Sequence, residues 1–209
     1  MKEWNNHYIK EKSALDYPDE NLVRLLKKAG DEALNGYVLD SGCGSGRHLK
    51  LINELGAEHI IGTDLSPNAI HLSRDPGIAS LIQSSNSAPP FKDNIITSVI
   101  AWGSLHYCTK NEMELMVSEI HRIIKPGGFL FATLRSSFDT WLRSGTETGN
   151  NEWVTDLKDI AGSTVSFSSE DEVKNLLAAF SYYSYGLIER TSFDDISKRI
   201  SHWIIQAVK

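Results

Sequence analysis

An α/β fold built on a mainly parallel sheet is what this sequence predicts, on three observations. Strand-like and helix-like patterns alternate along most of the chain, which makes the helices crossovers between parallel strands. The run Tyr37-Val38-Leu39-Asp40 leads into Gly42, Gly44 and Gly46, and an amphipathic helical pattern opens at Arg47. That is a strand, a tight glycine turn and a helix, with bare backbone open to a ligand. A second buried-strand run, Ile60-Ile61-Gly62-Thr63-Asp64, also ends in an acid. An acid at the tip of a second strand is placed to accept hydrogen bonds from both hydroxyls of a ribose.

The elements follow in order. Asp19 to Lys28 reads as a first helix: Pro18 precedes it, Asp19 and Glu20 stand at its start, and Lys27, Lys28 and Gly30 lie at its end. Its apolar face is Leu22, Val23, Leu25 and Leu26. Strand one spans 37–41, and the helix after it carries Leu49, Leu51, Ile52 and Leu55. Strand two spans 59–64. Ser66-Pro67-Asn68 caps a short helix that stops before Asp75-Pro76-Gly77, and Leu81-Ile82-Gln83 is a short third strand. A loop over 88–94 precedes a fourth strand from Ile95 to Trp102. Asn111 to Ile124 is a helix, ended by Lys125-Pro126-Gly127-Gly128 before a fifth strand from Phe129 to Leu134. Ser169 or Glu170 opens a helix to Phe180. The last two strands, 182–190 and 202–208, are joined by about ten residues. That is too few for a helical crossover, so the pair is antiparallel.

Composition sets limits. The chain has 209 residues and 41% apolar content, enough for a single α/β domain over 1–209 with a modest cap. Net charge is −6, with no basic run longer than Lys27-Lys28. Nucleic-acid readers carry a clustered basic face, so no nucleic-acid partner is expected. No signal peptide and no membrane-length apolar run stand in the sequence, so no membrane partner is expected and a cytoplasmic location is. Cys43 and Cys108 make no metal-ligand pattern. Residues 1–18, with Trp4, His7, Tyr8 and Tyr17, and residues 136–168, rich in Ser, Thr, Gly and Asn, fall outside the core pattern. A connection as long as the second is functional or mobile.

The glycine spacing narrows the ligand. A dinucleotide turn wants G-x-G-x-x-G facing a pyrophosphate, but Arg47 occupies the third position of that pattern, and Asp40 would repel a diphosphate. This argues against a nicotinamide oxidoreductase. An acid there suits a ligand carrying an ammonium or a sulfonium. Asp40-Ser41-Gly42-Cys43-Gly44-Ser45-Gly46 resembles the first motif of the class I S-adenosylmethionine-dependent methyltransferases, and Gly62-Thr63-Asp64-Leu65 resembles the second. Pro90-Phe91-Lys92-Asp93-Asn94 and Ile123-Ile124-Lys125-Pro126-Gly127-Gly128 resemble stretches of the small-molecule, type 11-like branch. The resemblance covers about residues 36–134.

The resemblance implies a Rossmann-like seven-stranded sheet, order 3-2-1-4-5-7-6 with the last strand antiparallel. Residues 1–18 then form a lid and 136–168 a cap over the cofactor and acceptor. It implies S-adenosylmethionine as cofactor and S-adenosylhomocysteine as product. Asp40, Gly42, Cys43, Gly44 and Gly46 would hold it, with Asp64 on the ribose and Leu65 on one face of the adenine. Ser85 stands where the family has an acid for the adenine amino group, so Asn86 is expected to share that contact. Ala101 and Trp102 line the methionine end.

Ligands of open α/β sheets bind beyond the carboxyl ends of the strands. His106, after strand four, is a candidate general base, or else a hydrogen-bonded wall residue. Arg135, at the end of strand five, is a candidate clamp for a substrate anion, or else an ion-pair partner of Asp139 or Glu147. His202-Trp203 reads as packing, His48 as a solvated helix start, and Asp139 and Glu147 as loop acids. The segment after strand four lacks the carboxylates that a magnesium site needs, so no metal is expected. The expected reaction is metal-independent methyl transfer to an oxygen or nitrogen of a small polar metabolite, by a monomer or homodimer. A non-catalytic cofactor-binding regulatory protein is the alternative.

Overall fold

A computed structural model describes residues 2–9, 15–75 and 77–209. Its elements are α1 (Lys2–His7), α2 (Glu20–Ala29), β1 (Tyr37–Ser41), α3 (Arg47–Glu54), β2 (His59–Asp64), α4 (Pro67–Leu72), β3 (Ser80–Gln83), β4 (Ile96–Ala101), α5 (Lys110–Ile123), β5 (Ile124–Arg135), β6 (Gly145–Gly149), β7 (Glu152–Thr155), β8 (Thr164–Ser166), α6 (Glu170–Leu176), β9 (Tyr182–Thr191) and β10 (Arg199–Val208). The main sheet runs β3-β2-β1-β4-β5-β10-β9. β10 is antiparallel to both of its neighbours, and the other pairs are parallel. This is the expected seven-strand order with its reversed last strand. The expected turn at Asp75-Pro76-Gly77 includes Pro76, which lies outside the described residues.

Alternate residues of each central strand feed opposite layers, as the two-residue period of a strand requires. Leu39, Val99, Ala101, Leu130, Ala132 and Leu134 pack with Met113, Val117 and Ile120 of α5 and Val173 of α6. Val38, Ile100, Phe129 and Phe131 pack with Leu22 and Leu26 of α2 and Leu49 and Ile52 of α3. The helix starts are chemically marked. Asp19 and Ser66 cap α2 and α4, and Thr109 and Ser169 form capping boxes with Glu112 and Glu172.

Three details differ from the sequence reading. Lys125-Pro126-Gly127-Gly128 is not a connector: β5 already begins at Ile124, and the four residues form a bulge between the Ile96–Ile124 and Ser98–Phe129 pairs. Gly128 is required there, because a Cβ would stand 2.6 Å from the Thr97 carbonyl oxygen. Helix α6 stops at Leu176, and turn bonds from Ala178 and Phe180 replace its expected last turn. The cap is not a plain loop but a three-stranded antiparallel sheet, β6-β7-β8. Asn150 and Asn151, at φ 52° and 61°, make the turn between its first two strands. The cap has its own core of Leu142, Ile160, Val165 and Phe167, against which Trp4, Tyr107, Trp141 and Trp153 pack.

Candidate functional site

The glycine loop joins β1 to α3 at the carboxyl end of the sheet. Gly42, Gly44 and Gly46 hold φ of 81°, 56° and 86°, a region that favours glycine. Backbone amides of Gly42 and Cys43 donate to the Thr63 carbonyl at 2.7 and 2.9 Å. Asp64 clamps the turn: its Oδ2 accepts from Gly44 N at 3.0 Å and its Oδ1 from Ser66 N at 2.8 Å. Burial raises the Asp64 carboxyl above its ordinary range, and these amides oppose the rise. A carboxylate has further lone pairs beyond these two bonds. A Cβ at Gly42 would meet Ser104 Cβ at 2.4 Å, so the loops after β1 and β4 touch at that glycine.

Asp40 is buried, and its Oδ2 has no hydrogen-bond partner. Burial lifts its carboxyl to about 7; Arg47 opposes the shift and Asp64 adds to it. Cys43 is a buried free thiol whose ionisation burial, Asp40 and Asp64 oppose. Leu65 is half-buried, and its carbonyl accepts from Gln83 Nε2 at 3.2 Å. Ser85 shares a 2.8 Å bond with the Ser87 hydroxyl, while Asn86 Oδ1 accepts from Ser41 Oγ at 2.9 Å. Asn86 is therefore tied to the end of β1, and Ser85 is turned into its own loop. Ala101 is buried on the α5 side of the sheet, and Trp102 packs in the α2–α3 layer.

Helix α1 lies across this ground. Asn5 Oδ1 accepts from Ser66 Oγ at 3.2 Å and from Asn68 N at 3.3 Å, and Asn68 Nδ2 donates to the Asn5 carbonyl at 3.0 Å. Trp4 meets the Tyr107 ring edge-on at 4.6 Å. The Tyr8 hydroxyl would stand 2.6 Å from a Cβ at Gly44, and burial, then Asp64, Cys43 and Asp40, disfavour its ionisation. The segment thus latches the N-cap of α4 to the cap.

The second half of the site is the rim above β4, β5 and β10. His106 is 1% exposed, and its Nδ1 has no partner. The Thr133 backbone supports the ring through a hydrogen bond. Burial, Arg135 and His202 hold the imidazole well below its ordinary range. Arg135 is buried. Its Nη1 donates to Asp139 Oδ2 at 2.6 Å, its guanidinium lies 5.6 Å over the Trp141 ring, and its Nε is unpartnered. Asp139 also accepts from Leu142 N at 3.0 Å and Ser201 N at 2.9 Å. The ion pair named as the alternative for Arg135 is therefore formed, with the guanidinium only partly used. His202 is the register partner of Arg135 across the sheet, and its ring centre is 5.9 Å from that of His106.

Some expectations need correction. His48 is 3% exposed, not a solvated helix start, and burial lowers its imidazole to about 3. Asp139 is wholly buried rather than a loop acid, because Arg135 and two amides compensate its charge. Glu147 is exposed on β6. Trp203 packs as expected, with Nε1 donating to the Ser168 carbonyl at 2.8 Å, but its neighbour His202 joins the rim. Sequence reasoning missed Asn5, which gave no motif signal. Among the described residues, no group of three or more His, Cys, Asp or Glu is arranged to hold a metal ion.

The donor set suits the expected cofactor. Asp40 Oδ2 is a buried carboxyl oxygen without a partner, and S-adenosylmethionine carries an ammonium and a sulfonium that would favour the ionised form. The bare glycine backbone admits close approach, and Asp64 retains acceptor capacity toward hydroxyls.

Residues 39–132 match the family described as "Methyltransferase domain". The chain is similar to the tRNA (carboxymethyluridine(34)-5-O)-methyltransferase of Arabidopsis thaliana, 31% identical over 98 residues, which are 46% of this chain and 23% of that protein. The chain spans about half or less of the length of the curated relatives it matches. In fold it is similar to a SAM-dependent methyltransferase from Methanosarcina mazei, with a TM-score of 0.69 at 20% identity, covering 92% of this chain and 98% of that one. It is likewise similar to the PH0226 protein from Pyrococcus horikoshii, with a TM-score of 0.72 at 18% identity, covering 97% and 98%.

Proposed function

We propose that this chain is a class I S-adenosylmethionine-dependent methyltransferase that transfers the methyl group to an oxygen or nitrogen of a small polar metabolite without a metal. The observation that carries the reading is the acid–glycine loop–acid constellation of Asp40, Gly42, Gly44 and Asp64 at the carboxyl end of the sheet. The cofactor, when bound, supplies an activated methyl group on a sulfonium, an excellent leaving group. The protein's work is to orient the acceptor and exclude water. The aromatic cap core and α1 provide the exclusion.

Asp40 is assigned to the positive groups of the cofactor and Asp64 to the ribose. Gly42, Cys43, Gly44 and Gly46 form the cradle. Leu65, Ser85 and Asn86 border the adenine, and Ala101 and Trp102 border the methionine end. Arg135, through its unpartnered Nε, orients an anionic group of the acceptor, and His106 accepts the acceptor's proton at Nδ1. The two roles are linked by charge. Arg135 holds the His106 imidazole down, and an anion beside Arg135 offsets that field and makes the imidazole a stronger base.

A small acceptor suits the net charge of −6 better than a tRNA does, although relatives with tRNA in their names keep that acceptor as an outcome to be tested. A cytoplasmic location belongs to the same reading, supported by two free buried cysteines. Calorimetry with S-adenosylhomocysteine, then methyl transfer from labelled S-adenosylmethionine to a panel of amino and hydroxy acids, sugars and bulk tRNA, tests it. Micromolar binding and labelled small product are expected. Absence of cofactor binding overturns the reading, label in tRNA replaces the acceptor class, and binding without any transfer favours a regulatory protein.

A further inference from the structure

The acceptor side leaves His202 unused, although its ring centre lies 5.9 Å from that of a buried candidate base. Methyl transfer to an O–H or N–H group breaks the methyl–sulfur bond and forms the methyl–acceptor bond. One proton then leaves the acceptor. Taken up by His106, that proton sits in a site 1% exposed to water, close to the permanent cation of Arg135. It must depart before the next turnover.

The neighbours of His106 offer few exits. Arg135 already holds its full complement of protons. Asp139 is occupied by Arg135 Nη1 and the amides of Leu142 and Ser201. Tyr107 packs its ring 4.4 Å from the imidazole, also engaging Trp4. The Thr133 backbone only supports the ring. His202 remains, with ring centres 5.9 Å apart, close enough for transfer after a small rotation or through one water. Unlike His106 it is half-buried. The charged groups that act on it are Arg135 and Asp139 from the β5 end, Arg190 of β9, and Asp19 at the cap of α2. The partial exposure of His202 joins the dry rim to solvent.

We propose that His202 is the proton exit of the site, a positioning and relay residue that takes the proton from His106 Nδ1 and passes it to water on the Asp19 side. The proposal rests on the methyl-transfer reading, and its test is independent of turnover. In protein labelled with 15N at histidine, NMR line shapes through a pH titration measure how fast His106 exchanges its proton with solvent. His202→Gln keeps size and polarity but takes up no proton. It is expected to slow that exchange at least tenfold, millimolar imidazole is expected to restore it, and S-adenosylhomocysteine affinity is expected to stay unchanged. Unchanged exchange overturns the proposal, and so does slowing that imidazole does not rescue, which marks a merely structural role. If His202→Gln does not fold, Asp19→Asn decides, because asparagine still caps α2. Removing that anion lowers the midpoint of His202, since Asp19 raises it. Exchange at His106 is then expected to slow with it, and indifference overturns the relay. Failure of the wild-type protein to bind S-adenosylhomocysteine sinks the methyl-transfer reading instead.

Discussion

Backbone amides and two acids shape the glycine-loop side of the site, whereas side chains from three separate strands shape the rim at His106. On the first side the contacts stay within β1, β2 and the turns that follow them: Gly44 and Ser66 donate to Asp64, and Gly42 and Cys43 donate to Thr63. On the second, His106 follows β4, Arg135 ends β5 and His202 lies on β10, brought opposite Arg135 only by antiparallel pairing. The difference teaches that one side can be set up by a continuous strand–helix–strand unit, β1–α3–β2, while the other exists only once the whole sheet has closed. It also separates two kinds of polarity. The loop side presents a buried carboxyl with an unpartnered oxygen, and the rim presents a compensated ion pair with imidazoles held neutral.

The largest effect that can break this contrast is expected from Asp139→Ala. It leaves Arg135 as a buried uncompensated cation, so unfolding free energy should fall by about 3–5 kcal/mol. Denaturant titration measures it; a loss under about 1 kcal/mol would mean that the pair does not hold the rim. On the other side, Asp64→Ala should weaken S-adenosylhomocysteine binding by about 1.5–3 kcal/mol, the range for hydrogen bonds to a charged group. Calorimetry checks this, and equal affinity would remove Asp64 from the ribose role.

Titration sharpens the contrast further. The Asp40 carboxyl is lifted to about 7, and only its ionised form attracts a cation. Cofactor affinity should therefore rise with pH through 7 and fall by up to about tenfold per unit below it. A flat profile between pH 5 and 8, with Asp40→Asn matching wild type, contradicts that role. At the rim the shift runs the other way. Burial and Arg135 lower His202 to about 4, so the folded state binds fewer protons than the unfolded one. That contribution to stability is present above the ordinary imidazole range and is lost as pH falls from about 6.5 toward 4. Thermal melts should show this loss reduced in His202→Gln. The smallest effect is expected from Asn5→Ala, which removes the latch of α1 on α4. About 0.5–1.5 kcal/mol of cofactor affinity should go, seen as faster dissociation in stopped flow. Unaltered dissociation would show that α1 does not cover the cofactor.

Legibility in the sequence follows the same division. The loop side was readable because its signals are contiguous: an apolar run, an acid, glycines at alternate positions and a second acid. The short β9–β10 connection marks the last pair as antiparallel, and the strand order is what the family resemblance implies. The cap sheet was not read, because Gly145–Gly149 is exposed throughout and lacks the apolar alternation that marks a strand. One signal did exist: Asn150-Asn151 is a pair suited to a turn with both residues at positive φ. Lys125–Gly128 reads as a helix stop in any local window, and only pairing with β4 and Lys209 makes it a bulge. The burial of His48, Asp139 and His202 depends on distant partners or on packing density, neither of which a linear pattern carries.

The outer edge of β9 has a consequence for handling the protein. The strand pairs with β10 in unbroken register from Tyr182 to Thr191, carries no proline, and exposes Tyr182, Leu187 and Ile188. A long, regular, partly apolar edge is a template on which another extended chain can add, and here only Glu189 and Arg190 interrupt it with charge. During refolding at high concentration this strand is the place where aggregation should begin. Leu187→Lys should suppress the resulting turbidity at little cost to the fold, since the side chain is already 38% exposed.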